Sequence, residues 1–132
     1  MENRDTTIFD LRGGTLGIVT PQSSKEEAFQ NITLRPILKL QNDLLIQVFI
    51  NYAQKQKGAF FTLTPEKKQN YIENVIQKDI KFRNSLKGMV IGFFTTEEYS
   101  RYILNSSSLN KRMMSMLIER LKNQVQLFEL QL

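Results

Sequence analysis

A chain of 132 residues is long enough for one domain with a modest hydrophobic core. Its apolar residues (41%), charged residues (23%) and formal net charge of +5 are typical of a folded, basic protein. Because the sequence lacks histidine and cysteine, it excludes Ser-His-Asp and Cys-His catalysis, disulfides, and metal sites ligated by those residues.

Residues 1–32 are predicted to form a flexible N-terminal arm. Glycine, threonine, serine and proline are concentrated in the run RGGTLGIVTPQSS, a composition typical of irregular or mobile segments. Ser24 followed by Glu27 is a capping-box pattern, and it predicts a short helix near 25–31.

The start of the chain is polar and carries both signs of charge. It lacks the basic segment and apolar run of a secretory signal, and no apolar run approaches the roughly 20 residues needed to span a bilayer. We therefore expect a cytoplasmic protein that has no membrane partner.

From Thr33 onward, apolar residues recur at helical spacing, which predicts a helical bundle domain over 33–132. The first long helix is predicted over about 34–57. Pro36 suits its first turn, and Gly58 suits the position just after its end.

A second start signal follows at Thr64 and Pro65, an N-cap residue before a proline at the first helical position. The second long helix is predicted from 65 to about 94. We expect a bend in it near Asn84–Gly88.

Two further helices complete the prediction. Thr95 or Thr96 caps a short helix, and Ser107 or Ser108 caps a final long one. The predicted fold class is therefore all-α, a helical bundle of about three long helices and one or two short ones, preceded by the mobile arm.

Two glycines four residues apart, Gly88 and Gly92, lie in the apolar run GMVIGFF. Residues at this spacing share one face of a helix, so the pair would form a shallow groove that lets another helix approach closely. Such packing would offset the helix propensity lost, up to ~1 kcal/mol per glycine relative to alanine. We predict helix packing here, within the chain or against a second subunit, with a short β-strand as the alternative.

Polar residues interrupt the apolar faces of the predicted long helices: Gln41, Asp79, Arg83, Arg120 and Gln124. Because buried charges persist only when paired and hydrogen-bonded, we predict that they meet as one polar core cluster, with Asp79 and Arg83 as an ion pair. The cluster would fix helix register or oligomeric state. The alternatives are a small-ligand or anion site around Arg83 and Arg120, and tilted helices that let these groups reach water.

Charge is distributed unevenly along the chain. Residues 1–34 contain three basic and five acidic side chains, whereas residues 35–132 contain fifteen basic and eight acidic ones. An acidic arm can lie on a basic body, its own or that of a second copy. A basic helical body also allows contact with nucleic acid.

Three runs of the sequence resemble a group of short bacterial helical proteins without established function: TLRPILKLQNDLL, NYIENVIQKDIKFRNSLKGMVIGFFTTEEY and LNKRMMSMLIERLKNQVQLF. Some members of that group carry the label glyoxalase. Metal-dependent glyoxalases of the βαβββ type bind a divalent metal through His and Glu, and this chain has no His. The resemblance therefore implies a discrete helical unit and transfers no catalytic residue.

We expect a non-enzymatic helical protein that self-associates and acts through protein contacts, with no cofactor and no metal. The first alternative is a nucleic-acid-binding accessory protein that uses the basic helical body. The second is an enzyme or anion-binding protein that uses Asp79, Arg83 and Arg120 on a small anionic or carbonyl compound.

Overall fold

The computed structural model describes residues 3–128, which form helices and connecting turns without a β-strand. The predicted all-α class is therefore confirmed for this part of the chain. The α-helices are α1 (Arg4–Arg12), α2 (Lys25–Phe29), α3 (Arg35–Lys55), α4 (Pro65–Lys78), α5 (Ile80–Ile91), α6 (Thr96–Tyr102) and α7 (Ser106–Lys122). Single turns of 3₁₀-helix occur at Ala59–Thr62 and Val125–Leu127.

The helix α2, a π-helical turn at Gln30–Leu34 and α3 run on as one helix of 31 residues, where the sequence predicted two. Pro36 has no N–H for the carbonyl of Ile32, and its ring crowds that carbonyl. The wider π turn directly before it accommodates the proline. The Ile32 carbonyl instead accepts a hydrogen bond from Nη2 of Arg12 at 3.1 Å, so the helix continues without an unsatisfied group.

Three predicted helix starts are confirmed by their capping hydrogen bonds. The side chain of Ser24 accepts from the N–H of Glu27, and that of Thr64 accepts from the N–H of Lys67. Thr95 and Glu98 form a complete capping box at the start of α6. The start of α7 differs, because the helix begins at Ser106 and places both predicted caps, Ser107 and Ser108, inside its first turn.

The break in the second long helix lies at Asp79 and not near Asn84–Gly88, which is unbroken helix in α5. Asp79 has extended backbone angles (φ −84°, ψ 92°), and its Oδ1 accepts a hydrogen bond from the N–H of Phe82 at 3.1 Å. An aspartate that accepts this bond is a favoured N-cap, so it ends α4 and starts α5.

The chain divides into two compact units. Unit 1 comprises residues 1–41 and 87–113, and unit 2 comprises residues 42–86 and 114–132. The described residues of the predicted arm thus belong to unit 1, where residues 4–12 are helical.

Each unit has its own buried apolar residues. In unit 1, the rings of Phe29 and Phe94 meet edge to face with centroids 5.4 Å apart. In unit 2, the fully buried Phe49 is the centre of an aromatic cluster, with ring centroids 5.3–6.2 Å away at five neighbours: Tyr52, Phe60, Tyr71, Phe82 and Phe128. Ring packing of this kind accounts for most of the aromatic residues of the chain.

Candidate functional site

A buried ion pair joins Arg12 of α1 to Glu98 of α6. Their side chains are 0% and 6% exposed, and the two N···O distances are 2.5 and 2.8 Å. This two-pronged arrangement matches the planar guanidinium to the carboxylate and is among the stronger polar contacts in proteins. It fixes the end of α1 to unit 1.

Other donors and acceptors complete the pair. The Glu98 carboxylate also accepts from the Thr33 hydroxyl at 2.5 Å and from the Thr95 N–H at 2.8 Å, while Arg12 donates to the Phe93 carbonyl at 3.1 Å. Burial raises the pKa of Glu98, but the hydrogen bonds from Arg12 and Thr33 outweigh it, so the net pKa lies below the ordinary value. Among the buried side-chain atoms of the described residues, Nε of Arg12 is the one guanidinium nitrogen without a hydrogen-bond partner.

Hydrogen bonds join the start of α1 to the end of α5 and to the start of α6. Arg4 donates to the carbonyls of Gly92 and Phe94, each at 2.8 Å, where α5 has just ended. Asp5 accepts from the N–H of Thr96 at 2.8 Å and from its hydroxyl at 2.5 Å, and these bonds lower the pKa of Asp5. A cation thus lies at a helix C-terminus and an anion at a helix N-terminus, as the helix dipoles favour.

A groove of about 480 Å³ lies in unit 1 beside this network. Its walls are largely apolar, formed by Ala28, Phe29, Ile32, Leu104 and Leu109. Lys25, Glu26, Arg101 and Asn105 contribute polar groups, and the buried Thr33 also lines the groove. The volume falls within the range of about 300–1,000 Å³ that is usual for small-molecule sites.

The carboxylate of Glu26 at this groove already has partners within unit 1. It accepts hydrogen bonds from Ser108 at 2.8 Å and Asn105 at 2.9 Å, and Arg112 lies 3.4 Å away. The bond from Ser108 contributes most to lowering the pKa of Glu26. The other charged side chains of the groove are positive: Lys25, and Arg101, which is paired with the exposed Glu97 outside the groove lining.

The outer face of α6 and the residues just after it present large apolar side chains to solvent. Tyr99 is 48% exposed, Ile103 55% and Leu104 85%. Glu98 and Tyr102 on the opposite side of this helix are buried, so its orientation is fixed. Neighbouring exposed apolar side chains are typical of a protein contact surface, and these three lie within six residues of the chain.

The structure brings together two members of the predicted polar core cluster, Arg120 and Gln124, through Asn42. The amides of Asn42 and Gln124 exchange two hydrogen bonds, at 2.8 and 2.9 Å, and Arg120 donates to Asn42 at 3.4 Å. Asn42 was missed because it lies beside the predicted stripe residue Gln41. Gln41 itself is buried, whereas Asn42 is half-buried beside the stripe, so periodicity alone gave no reason to single it out.

The other members have different partners. Oδ2 of Asp79 accepts from the Tyr52 hydroxyl at 2.6 Å, and the side-chain amide of Gln41 donates to the Met89 carbonyl at 3.2 Å. Burial, with the bond to Asp79 as second cause, holds the pKa of Tyr52 far above its ordinary value. Between residues 3 and 128, Arg83 has no side-chain hydrogen bond or ion pair, and none joins it to Asp79.

The predicted helix-packing glycines lie on an exposed part of α5 and of the turn after it. A Cβ added at Gly88 would meet no atom of the described chain within 4 Å, and one added at Gly92 would lie 3.3 Å from the Gly88 carbonyl oxygen. Close packing against a helix of this chain is therefore not seen there. Packing against a second copy stays a prediction.

Among residues 3–128, no group of three or more Asp, Glu, His or Cys side chains converges in a way that could hold a metal ion. None of the helices in the described part of the chain combines the length and the apolar character needed to cross a membrane.

Comparison with protein-family models, curated proteins and solved structures finds no significant match to this chain. Its function must therefore be inferred from the chemistry of its own surfaces, the α6 face and the groove of unit 1.

Proposed function

We propose that this protein is a non-enzymatic helical protein that acts by associating with a second copy of itself through the α6 face, defined by Tyr99, Ile103 and Leu104. The supporting observation is the exposure of these three large apolar side chains on α6 and the two residues that follow it. Burying them against an identical face removes apolar surface from water in both copies at once.

The composition of the α6 face suits a two-fold contact. Ser100, a small residue, lies between the apolar side chains and the exposed ion pair of Glu97 and Arg101, whose side chains are 75% and 56% exposed. In a two-fold arrangement, Glu97 of each copy can face Arg101 of the other, so like charges need not meet. Such an exposed ion pair contributes little to the stability of one chain, so each side chain can exchange its partner for the one on the second copy.

A matched pair of variants tests this function. Ile103→Lys places a charge on the α6 face, whereas Ile80→Lys places the same charge at another exposed isoleucine, 66% exposed at the start of α5. Light scattering coupled to gel filtration should give the native chain a molar mass above the 15.4 kDa of one copy. We expect Ile103→Lys to be monomeric and Ile80→Lys to associate like the native chain.

Two results would overturn the proposal. A native chain that stays monomeric at every concentration would exclude self-association. Equal association of both variants would exclude the α6 face as the contact. Circular dichroism of each variant confirms that its helices are intact.

A second candidate function, nucleic-acid binding, is favoured by one observation in unit 2. Lys78 and Lys81 are exposed on either side of the exposed Ile80, at the break between α4 and α5. Phosphate contacts made by such side chains weaken steeply as salt rises. Lys78→Glu with Lys81→Glu should abolish retention on heparin at low salt, whereas Lys39→Glu with Lys111→Glu should not. Equal retention of both variants would exclude this surface.

A further inference from the structure

We propose that the groove of unit 1 binds an amphiphilic anion, a molecule with an aliphatic body and a carboxylate or similar head group. The aliphatic body would lie between the walls formed by Phe29, Ile32 and Leu109, and the head group would lie at Lys25 and Arg101. This ligand site goes beyond the proposed self-association, because Tyr99 and Ile103 do not line the groove, although Leu104 and Arg101 belong to both surfaces.

The depth and chemistry of the groove favour an apolar body. Phe29 and Leu109 are 6% and 4% exposed and form its inner walls, whereas Leu104 is open to solvent at its mouth. The hydroxyl of Thr33, the polar group of the inner wall, already donates its hydrogen bond to Glu98 and does not need an acceptor on the ligand. A ligand that fills the interior therefore needs no polar group there, and it displaces water from apolar surface.

The charge at the mouth favours an anionic head group. The Glu26 carboxylate stays charged, but Ser108, Asn105 and Arg112 already donate to it, and the other two charged side chains of the lining, Lys25 and Arg101, are both cations. The exposed Glu97 is the partner of Arg101, and an ion pair in water holds its side chains only weakly. The Arg101 guanidinium can therefore turn to a ligand carboxylate, which it binds with two parallel hydrogen bonds.

Calorimetry with three twelve-carbon probes tests both parts of the proposal. The probes are dodecanoate and dodecyltrimethylammonium, each used below the concentration at which it forms micelles, and dodecanol, used below its solubility limit. We expect dodecanoate to bind one molecule per chain, dodecanol to bind more weakly, and the cation to bind most weakly. Equal or tighter binding of the cation would overturn the charge argument, and no binding of dodecanoate would overturn the site.

Two sets of variants locate the binding. Lys25→Glu with Arg101→Glu should weaken dodecanoate binding by about tenfold or more, since two attractive contacts become repulsive. Lys39→Glu with Lys111→Glu makes the same charge change at exposed positions of unit 1 outside the groove and should leave the affinity unchanged. Ala28→Trp, which fills the groove from its half-exposed wall, should abolish binding. Native affinity in Ala28→Trp would overturn the proposal.

A sedimentation assay with lipid vesicles distinguishes a free amphiphile from a membrane lipid as the source of the anion. Dodecanoate binding in solution, with little sedimentation on vesicles of phosphatidylglycerol, supports a free amphiphile as the ligand. Sedimentation on these vesicles without binding of free dodecanoate would overturn it. The Ile103→Lys variant separates this inference from the proposed function, because it should bind dodecanoate even where it no longer self-associates.

Discussion

Unit 1 and unit 2 fill their interiors with different chemistry. Unit 1 buries the ion pair of Arg12 and Glu98, whereas unit 2 packs an aromatic cluster around Phe49 and carries the neutral amide pair of Asn42 and Gln124. Aromatic rings need only to touch one another, so residues at helical spacing along one face can form such a cluster. A buried charge needs an opposite charge and hydrogen-bond partners, and unit 1 draws these from positions far apart in the chain.

Two neighbouring glutamates in unit 1 show the same contrast on a smaller scale. Glu97 is paired with Arg101 four residues along α6 and is largely exposed, whereas Glu98 is buried and paired with Arg12, 86 positions away. Both carboxylates lie in the first turn of α6 and favour its N-terminus. Local sequence distinguishes Glu98 only as the capping-box partner of Thr95; its burial and its pairing with Arg12 depend on the position of α1.

The largest effect is expected from breaking the buried pair. Arg12→Ala should lower the free energy of unfolding by about 3–5 kcal/mol, because it leaves Glu98 charged and buried without its partner. The Phe93 and Ile32 carbonyls also lose donors. Arg101→Ala, in the exposed pair, should cost about 0.5 kcal/mol or less. Urea unfolding measures both, and equal losses would show that the Arg12 pair is solvated.

A comparable loss is expected from unit 2 when its aromatic centre is removed. Phe49→Ala should cost about 3–5 kcal/mol, the range for a buried phenylalanine whose cavity collapses only in part. Phe61→Ala removes a half-buried ring stacked on Phe60 in the same unit and should cost clearly less. Loss of stability of the same size in both variants would remove Phe49 from the centre of unit 2.

Lowering the pH should weaken the ion pair of Arg12 and Glu98 and destabilise the folded chain. The pKa of Glu98 in the folded chain lies below its ordinary value of 4.5, so the stabilisation is complete above that pH. It is lost as pH falls from there through the lowered folded-state value, because protonation removes the carboxylate that Arg12 binds. Urea unfolding from pH 7 to pH 3 should show a steeper loss for the native chain than for Glu98→Gln. Parallel pH profiles would contradict this assignment.

The smallest effect is expected at the exposed glycine of α5. Gly88→Ala should stabilise the chain by up to ~1 kcal/mol, since alanine favours helix and the added Cβ meets nothing within 4 Å in the described chain. Gly92→Ala should gain less, because its Cβ would crowd the Gly88 carbonyl oxygen. Thermal unfolding compares them. A destabilised Gly88→Ala variant with reduced molar mass in solution would instead place this glycine in a contact between copies.

Helix starts were predictable because their signals are local. Ser24, Thr64 and Thr95 each bond an N–H three residues later, so the relevant atoms are neighbours in sequence. Gly58, predicted to follow the first long helix, has a left-handed φ of 71° that glycine adopts without strain. Pro36 misled the prediction, because the donor that satisfies the Ile32 carbonyl comes from α1, far from it in the chain.

The polar residues show where periodicity stops being informative. Asp79 lies on the apolar stripe of its helix, but it serves as the N-cap of α5 and binds Tyr52. Arg120 and Gln124 do meet, through an asparagine one position from the predicted glutamine. A helical pattern gives the face on which a side chain lies, but the atom that it reaches depends on how the helices pack.

The sequence by itself determined that this chain is helical and where most of its helices begin, because helix hydrogen bonds and caps join residues at most four positions apart. Only the tertiary structure decided which charges are buried and which apolar side chains stay exposed. Arg12 and Glu98 could be paired in no local pattern, and the exposure of Leu104 depends on what packs beside it. Burial is a property of the assembled surface, and it is set by contacts between residues far apart in the chain.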